Sequence, residues 1–413
     1  MEVSADRKIE LFKGDRVLWI TIIVISVMSI LPVYSASSNL EHIVNAGSTT
    51  LHTVKHMLFI LLGLALMRFI GAVKYEYIGK LSIFLLGFSV VLLFITMFTG
   101  QTIQGASASR WLKIPGTGFS FQPSSVAYLM LVIYLCRYLT KKIQRERLPI
   151  ENIIYIFGPI LLVFLLVAKD NGSTALMILF TSICVLILGQ LNWKYIAGFI
   201  SISFITSALF LLIALNTDLI KDNRVNTWWS RIESFVNSKS KSELSETELQ
   251  EVKEKNYQVL HAKAAIVHGG IAGVGPGKSV LKRSLPQSAS DFIFAIIIEE
   301  YGLIGASLLI AMYFIMIIRI LIIASKTRPF FGALLVISLG LMIFIQLSAN
   351  IMVALNLIPV TGQPLPLISY GGTSMLVTYA QLGLILNISS RIPIYDEEGI
   401  GKKQSIEEIN DIA

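Results

Sequence analysis

The chain has 413 residues, of which 54% are hydrophobic and only 15% charged, with a mean hydropathy of +0.71. No water-soluble domain of this size needs so much apolar surface, whereas a bilayer core of about 30 Å takes helices of about 20 apolar residues. The net charge of +8 does not call for a nucleic-acid partner, because the basic residues of a membrane protein collect in cytoplasmic loops as topology signals.

The expected fold is all-α: one polytopic membrane domain over residues 1–413, with about ten transmembrane helices. The spans fall at about 17–35, 55–73, 81–99, 121–139, 152–168, 174–191, 195–215, 291–323, 330–356 and 367–389. The first follows "KGDR" and ends at "VYSASSN", which mimics a cleavage site. It is long for a signal segment and is read as a retained helix. Cys136 and Cys184 lie inside apolar runs, as buried space-fillers rather than a disulfide.

An even number of spans puts both termini on one side. Arg7, Lys8, Lys13 and Arg16 precede the first span, and Lys74 and Lys80 follow the second. Lys141, Lys142, Arg145 and Arg147 follow the fourth, Lys194 the sixth, and Lys326 and Arg328 the eighth. All fall on the terminus side, which makes the termini cytoplasmic.

Between spans seven and eight lies a long outer loop, 216–290. Its "IKDNRVNTWWSRIESF" is an amphipathic segment suited to the headgroup zone, and "NSKSKSELSETELQEVKEK" is charged and helix-prone. A loop of this length is usually functional.

The loop ends in "HGGIAGVGPGKSVLKRSLPQSASD" (268–291). Gly277-Lys278-Ser279 imitates the end of a phosphate loop, but Ala272 stands where that motif needs glycine, and the outer face holds no nucleotide triphosphates. What remains is a flexible glycine segment whose N–H groups can approach an anion, with Lys278, Lys282 and Arg283 as positive charge. The alternative is a solvated basic turn. Arg110 and Lys113 in "GASASRWLKIPG" form a second outer basic site beside Trp111, or else an interfacial anchor. Basic residues converging at a membrane surface point to an anionic lipid headgroup such as a pyrophosphate. Lys169 and Asp170, at a third outer turn, neutralise one another and receive no role.

The run "SASDFIFAIIIEE" (288–300) places Asp291 where loop becomes helix, and Glu299 and Glu300 about 12–14 Å deeper. A carboxylate at a helix start commonly just complements the dipole. Acids at membrane depth are costly and face a cavity or a partner. Glu299, eight residues on, shares a face with Asp291 to within about 80° on a continuous helix, whereas Glu300 is expected in a structural ion pair. Their charged partners are not named by the sequence. Finally, "NLIPVTGQPLPLISYGGTSM" cannot form a regular helix, and broken backbone at a membrane surface lines cavities. Its Ser369, Gly371 and Gly372 are candidate substrate contacts.

Together, "LPQSASDFIFAIIIEEYGLIG", "PVTGQPLPLISYGGTS", "ASRWL" and "FQPSS" resemble the SEDS family of shape, elongation, division and sporulation proteins, typified by FtsW and RodA. "VYSAS" and "GASASRW" are more similar to the division branch. The resemblance implies a peptidoglycan glycosyltransferase that polymerises lipid II at the outer face of the cytoplasmic membrane. It also implies a class B penicillin-binding protein transpeptidase and other divisome membrane proteins as partners. The family's essential aspartate falls on Asp291, its arginine on Arg110, and its deep glutamates on Glu299 and Glu300. Two departures stand out. Ala289-Ser290 replace the usual His-Thr, and Ser125 and Tyr128 replace a Glu and a Lys.

On this reading Asp291 is the general base, and Arg110 with the basic loop holds pyrophosphate. A hydrated divalent cation such as Mg²⁺ could share that duty, and no nucleotide or organic cofactor is expected. A lipid-precursor transporter or a non-catalytic divisome scaffold are the competing readings.

Overall fold

The computed structural model describes residues 13–44, 49–100, 111–113, 120–142, 150–216, 257–285 and 288–392. The paired-tryptophan segment and the charged middle of the long loop lie outside the described residues, as does Arg110.

Twelve helices are described: α1 (Arg16–Met28), α2 (Ile30–Val44), α3 (Thr49–Ala72), α4 (Tyr75–Thr99), α5 (Pro123–Lys142), α6 (Ile150–Ala168), α7 (Gly172–Leu188), α8 (Trp193–Asn216), α9 (Tyr257–Gly269), α10 (Ile293–Lys326), α11 (Phe330–Ala354) and α12 (Gly372–Ser389). A short antiparallel hairpin, β1 (Leu112–Lys113) and β2 (Ser120–Phe121), precedes α5. Every expected span falls on a helix, the first on α1 and α2 together. Among the described residues, six stretches are long and apolar enough to cross a membrane: Arg16–Ser38, Thr49–Ala72, Tyr75–Thr99, Pro123–Lys141, Ile293–Lys326 and Phe330–Ala354. Asn152–Ala168, Gly172–Leu188 and Trp193–Ile205 are shorter apolar helices.

The packing follows a lipid-solvent logic. In α4 the buried face carries Gly79, Ser82, Ser89 and Thr96, while Phe84, Phe88, Phe94 and Phe98 point outward. Against hydrocarbon, burying Phe gains little, so small residues that let backbones approach take the inner face. The inward hydroxyls bond their own helix, as Ser89 Oγ does to Leu85 O at 2.7 Å.

Two ends of the bundle are distinguished by their contacts. At one, Asp15 caps α1 by accepting from Leu18 N at 2.8 Å and pairs with Arg319 of α10, and Gly14 lies against the Leu386 backbone of α12. Both ends of the described chain therefore meet here. At the other end, α2, the hairpin, α9, the start of α10, the end of α11 and the start of α12 converge. Among the described residues, the glycine segment, the Asp291 turn and the proline-glycine loop sit there.

Candidate functional site

The long eighth span is not one helix. Gly302 adopts φ 68°, ψ −172°, so α10 breaks into residues 293–301 and 303–326. A break strips the carbonyls before it and the N–H groups after it of their helical partners. The glycine segment replaces both sets. Val274 N donates to Glu299 O at 2.9 Å and Gly275 N to Glu300 O at 3.0 Å. In return, Leu303 N donates to Gly270 O at 3.0 Å and Ile304 N to Ile271 O at 3.2 Å. The fit excludes side chains: a Cβ on Gly302 would stand 2.2 Å from Ile271 O, and one on Gly273 2.3 Å from Glu300 O.

The same segment also binds an anion, and that anion is internal. Glu299 Oε1 accepts from Val280 N at 3.0 Å, from Leu281 N at 3.3 Å, and lies 3.0 Å from His268 Nδ1; its Oε2 accepts from Ser279 Oγ. Glu300 Oε1 accepts from Ser35 Oγ of α2 and from Ser279 N at 3.4 Å. Both carboxylates are fully buried. The expectation that N–H groups of this segment approach an anion holds, with the chain's own carboxylate as the anion. Lys282 is likewise drawn inward. It is buried and donates from Nζ to Gly277 O at 2.8 Å and Ser35 Oγ at 3.0 Å. Glu299 and Lys282, expected to contact substrate, therefore hold the loop to the helix break. The shared-face argument for Asp291 and Glu299 also falls, because α10 begins at Ile293 and leaves Asp291 in the preceding turn.

Asp291 is half-buried in that turn, whose main-chain oxygens accept hydrogen bonds from three neighbouring residues. Asn350 Nδ2, near the end of α11, donates to Asp291 O at 3.0 Å and to Gln363 O at 2.8 Å. Ser369 Oγ donates to Ser290 O at 2.6 Å and accepts from Leu365 N at 2.7 Å. Tyr370 N donates to Ala289 O at 2.9 Å. The broken proline-glycine backbone thus grips the Asp291 turn from the side facing α12, and the Ser369 hydroxyl is used both ways inside the protein. The Tyr370 ring meets His52 edge-on, with ring centroids 5.6 Å apart.

Gly371 and Gly372 form the N-terminus of α12, where Gly371 makes no side-chain cap. Such an end presents N–H groups to anions. Gly372 is required by packing, since a Cβ there would lie 2.5 Å from the Phe59 ring. Lys113 and Lys278 are exposed at this end of the bundle. Arg110 and the Arg283 side chain lie outside the described residues. Where the family resemblance calls for a lysine, the Tyr128 hydroxyl instead meets Thr181 Oγ1 in the buried interior. Among the described residues no group of three or more His, Cys, Asp or Glu is placed to hold a metal ion.

Beside the Asp291 turn runs an apolar groove of about 530 Å³. It is lined by Leu176, Met177 and Phe180 of α7, Phe344 and Ala349 of α11, and Pro359 of the broken loop. Ala349 adjoins Asn350, which holds Asp291 O. Gln363 Nε2 donates to Thr174 Oγ1 at 2.8 Å, tying the loop to α7. Sequence reasoning missed Asn350, Gln363, Ser35 and His268. For Asn350 and Ser35 the available signal was a polar side chain inside an otherwise apolar span.

Comparison with known proteins agrees with this architecture. A probable peptidoglycan glycosyltransferase FtsW from Enterococcus hirae is 32% identical over 394 residues, covering 92% of this chain and 94% of the relative. One of the same description from Trichlorobacter lovleyi is 28% identical, with 92% and 94% covered. Among solved structures, a chain of a peptidoglycan synthase complex that coordinates polymerization and crosslinking superposes with a TM-score of 0.65 at 23% identity, covering 91% of this chain and 97% of that one. The rod shape determining protein RodA of Thermus thermophilus gives 0.59 at 22%, with 92% and 97% covered. The FtsW/RodA/SpoVE family model matches residues 15–392. With a broken helix and a gripped aspartate turn where the family's sequence motifs fall, the chain belongs to this family of cell cycle proteins.

Proposed function

We propose that this protein is a peptidoglycan glycosyltransferase that polymerises lipid II during septal synthesis in cell division. In this reading the chain crosses the cytoplasmic membrane ten times, its termini are cytoplasmic, and the Asp291 end faces outward. The observation that carries it is the half-buried Asp291 turn, held by main-chain contacts from α11 and the broken loop beside a groove of lipid-like polarity.

Joining sugars needs a hydroxyl activated for attack on an anomeric carbon. The Asp291 carboxylate takes the proton from the GlcNAc 4-hydroxyl of one lipid II. That oxygen bonds to C1 of the donor MurNAc while the C1–O bond to pyrophosphate breaks, and the lipid pyrophosphate leaves with the bonding electrons and inversion at C1. Lys113 and Lys278, with Arg110, supply positive charge for the pyrophosphate, and the α12 N-terminus adds oriented N–H groups. The groove between α7 and α11 takes apolar chain from the lipid carrier. A class B penicillin-binding protein crosslinks the product.

The test is polymer formation from purified lipid II by the full chain, with and without its cognate transpeptidase. Glycan strands susceptible to a muramidase are the expected result. Translocation of labelled lipid across empty vesicles with no polymer would instead establish a transporter, and neither activity would leave a scaffold.

A further inference from the structure

Two adjacent residues of α2 contact the chain on either side of Asp291. Ser35 Oγ donates to Glu300 Oε1 at the helix break, and the next residue, Ala36, accepts from Ser288 Oγ at 3.3 Å through its carbonyl. Ser288 opens the turn that contains Asp291. Adjacent residues of α2 therefore hold the segment 288–300 before its start and near its end. Among the described residues, Glu300 takes its hydrogen bonds through Oε1, and its Oε2 has no hydrogen-bond partner there. Its other donor, Ser279 N at 3.4 Å, is the longer contact. Lys282 Nζ then closes on Ser35 Oγ from the far side at 3.0 Å, so the serine hydroxyl is bracketed by an ammonium donor and a carboxylate acceptor. Charge-assisted contacts of this kind are the stronger class of hydrogen bond. A buried hydroxyl in this arrangement has one orientation, toward Glu300, since Lys282 can only donate.

We propose that Ser35 is a positioning residue for Asp291, with Lys282 fixing the serine and Glu300 transmitting its hold to residues 293–301. The inference rests on Asp291 being the reacting group. Ser35 touches no substrate atom in this scheme. It sets where the aspartate-bearing turn lies relative to the broken loop that carries Ser369 and Tyr370. A misplacement of about 1 Å between reacting groups can lower a rate about a hundredfold.

The experiment compares Ser35→Ala, Ser35→Thr and wild-type full-length protein by hydrogen exchange and by lipid II polymerisation. In Ser35→Ala, exchange of the amides of residues 291–301 rises about tenfold, the size expected from losing one hydrogen bond to a charged group. Its kcat falls by tenfold or more in order of magnitude, while KM stays at the wild-type value. Ser35→Thr, which keeps the hydroxyl, retains both wild-type readings. Unchanged exchange over 291–301 in Ser35→Ala overturns the proposal, as does raised exchange with wild-type kcat. If Ser35→Ala does not fold, Lys282→Gln, altered at the loop rather than in the span, is judged by the same two readings. Asp291→Asn run in parallel separates the two claims. Normal polymerisation by that variant overturns the role of Asp291 and the positioning role with it. Unchanged turnover in Ser35→Ala beside an inactive Asp291→Asn overturns the positioning role alone.

Discussion

Asn350 reaches from α11 to the main-chain oxygen of Asp291 at 3.0 Å and, with the same amide nitrogen, to Gln363 O at 2.8 Å. One buried side chain thus ties the aspartate turn to the broken loop. Asn350→Leu removes the donor from both carbonyls, at a cost of about 1–3 kcal/mol for each one left unsatisfied. A lowered melting temperature in detergent and a slower polymerisation rate are expected. A variant as stable and as active as the parent would show that the turn is held elsewhere.

Asp291→Asn keeps the size of the side chain and the main-chain contacts but removes the base. Polymerisation of purified lipid II is expected to fall by a factor of about 10²–10⁴ with the melting temperature unchanged. A folded variant that still builds strands at the parental rate would exclude general-base catalysis at this residue.

Glycine substitutions should divide sharply by position. Gly302→Ala places a Cβ 2.2 Å from Ile271 O at φ 68°. The left-handed backbone alone costs about 1–2 kcal/mol, and the collision adds to it. Gly71→Ala in α3 meets nothing within 4 Å and should be neutral or stabilising by up to about 1 kcal/mol. Melting curves of the two variants decide the matter, and equal effects would refute the interlocked break.

If the groove holds a lipid chain, filling it should hinder long carriers more than short ones. Ala349→Phe narrows the floor beside Phe344. KM should rise severalfold for lipid II with a full-length polyprenyl chain and stay near normal for a short-chain analogue. An equal change for both substrates would place the lipid elsewhere.

Lys113 and Lys278 are exposed, so their attraction for a pyrophosphate is screened by salt. The double variant Lys113→Ala/Lys278→Ala should raise KM at low ionic strength, and the difference should shrink at about 1 M salt, where the Debye length is about 3 Å. A salt-independent effect would point to a local folding defect.

The helices were legible because each apolar run is long and bounded by charge, proline or glycine. Asp291 was legible too, as a carboxylate at the junction of loop and span. The role of Glu299 was not. The angular argument assumed a helix already running at residue 291, whereas α10 begins at Ile293. The glycine segment was read as a cradle for the anion of a lipid headgroup, and the carboxylate its N–H groups meet in the structure belongs to Glu299, 19 positions away from Val280. Such a pairing is tertiary and leaves no local trace. Lys282 was expected to offer its charge to a substrate anion, whereas its ammonium is turned inward to Gly277 O and to Ser35 of α2.

The interruption at Gly302 bears on how the protein matures. Residues 303–326 alone satisfy the length of about 20 that a bilayer requires, so they can integrate before anything else is in place. The short segment 293–301 cannot settle at that stage, because its two acids need His268, Ser279 and Ser35 to arrive from a distant loop and from the opening helix. Assembly of the reactive end is therefore a late event that follows insertion, and newly inserted chains should pass through an inactive form with that segment undocked.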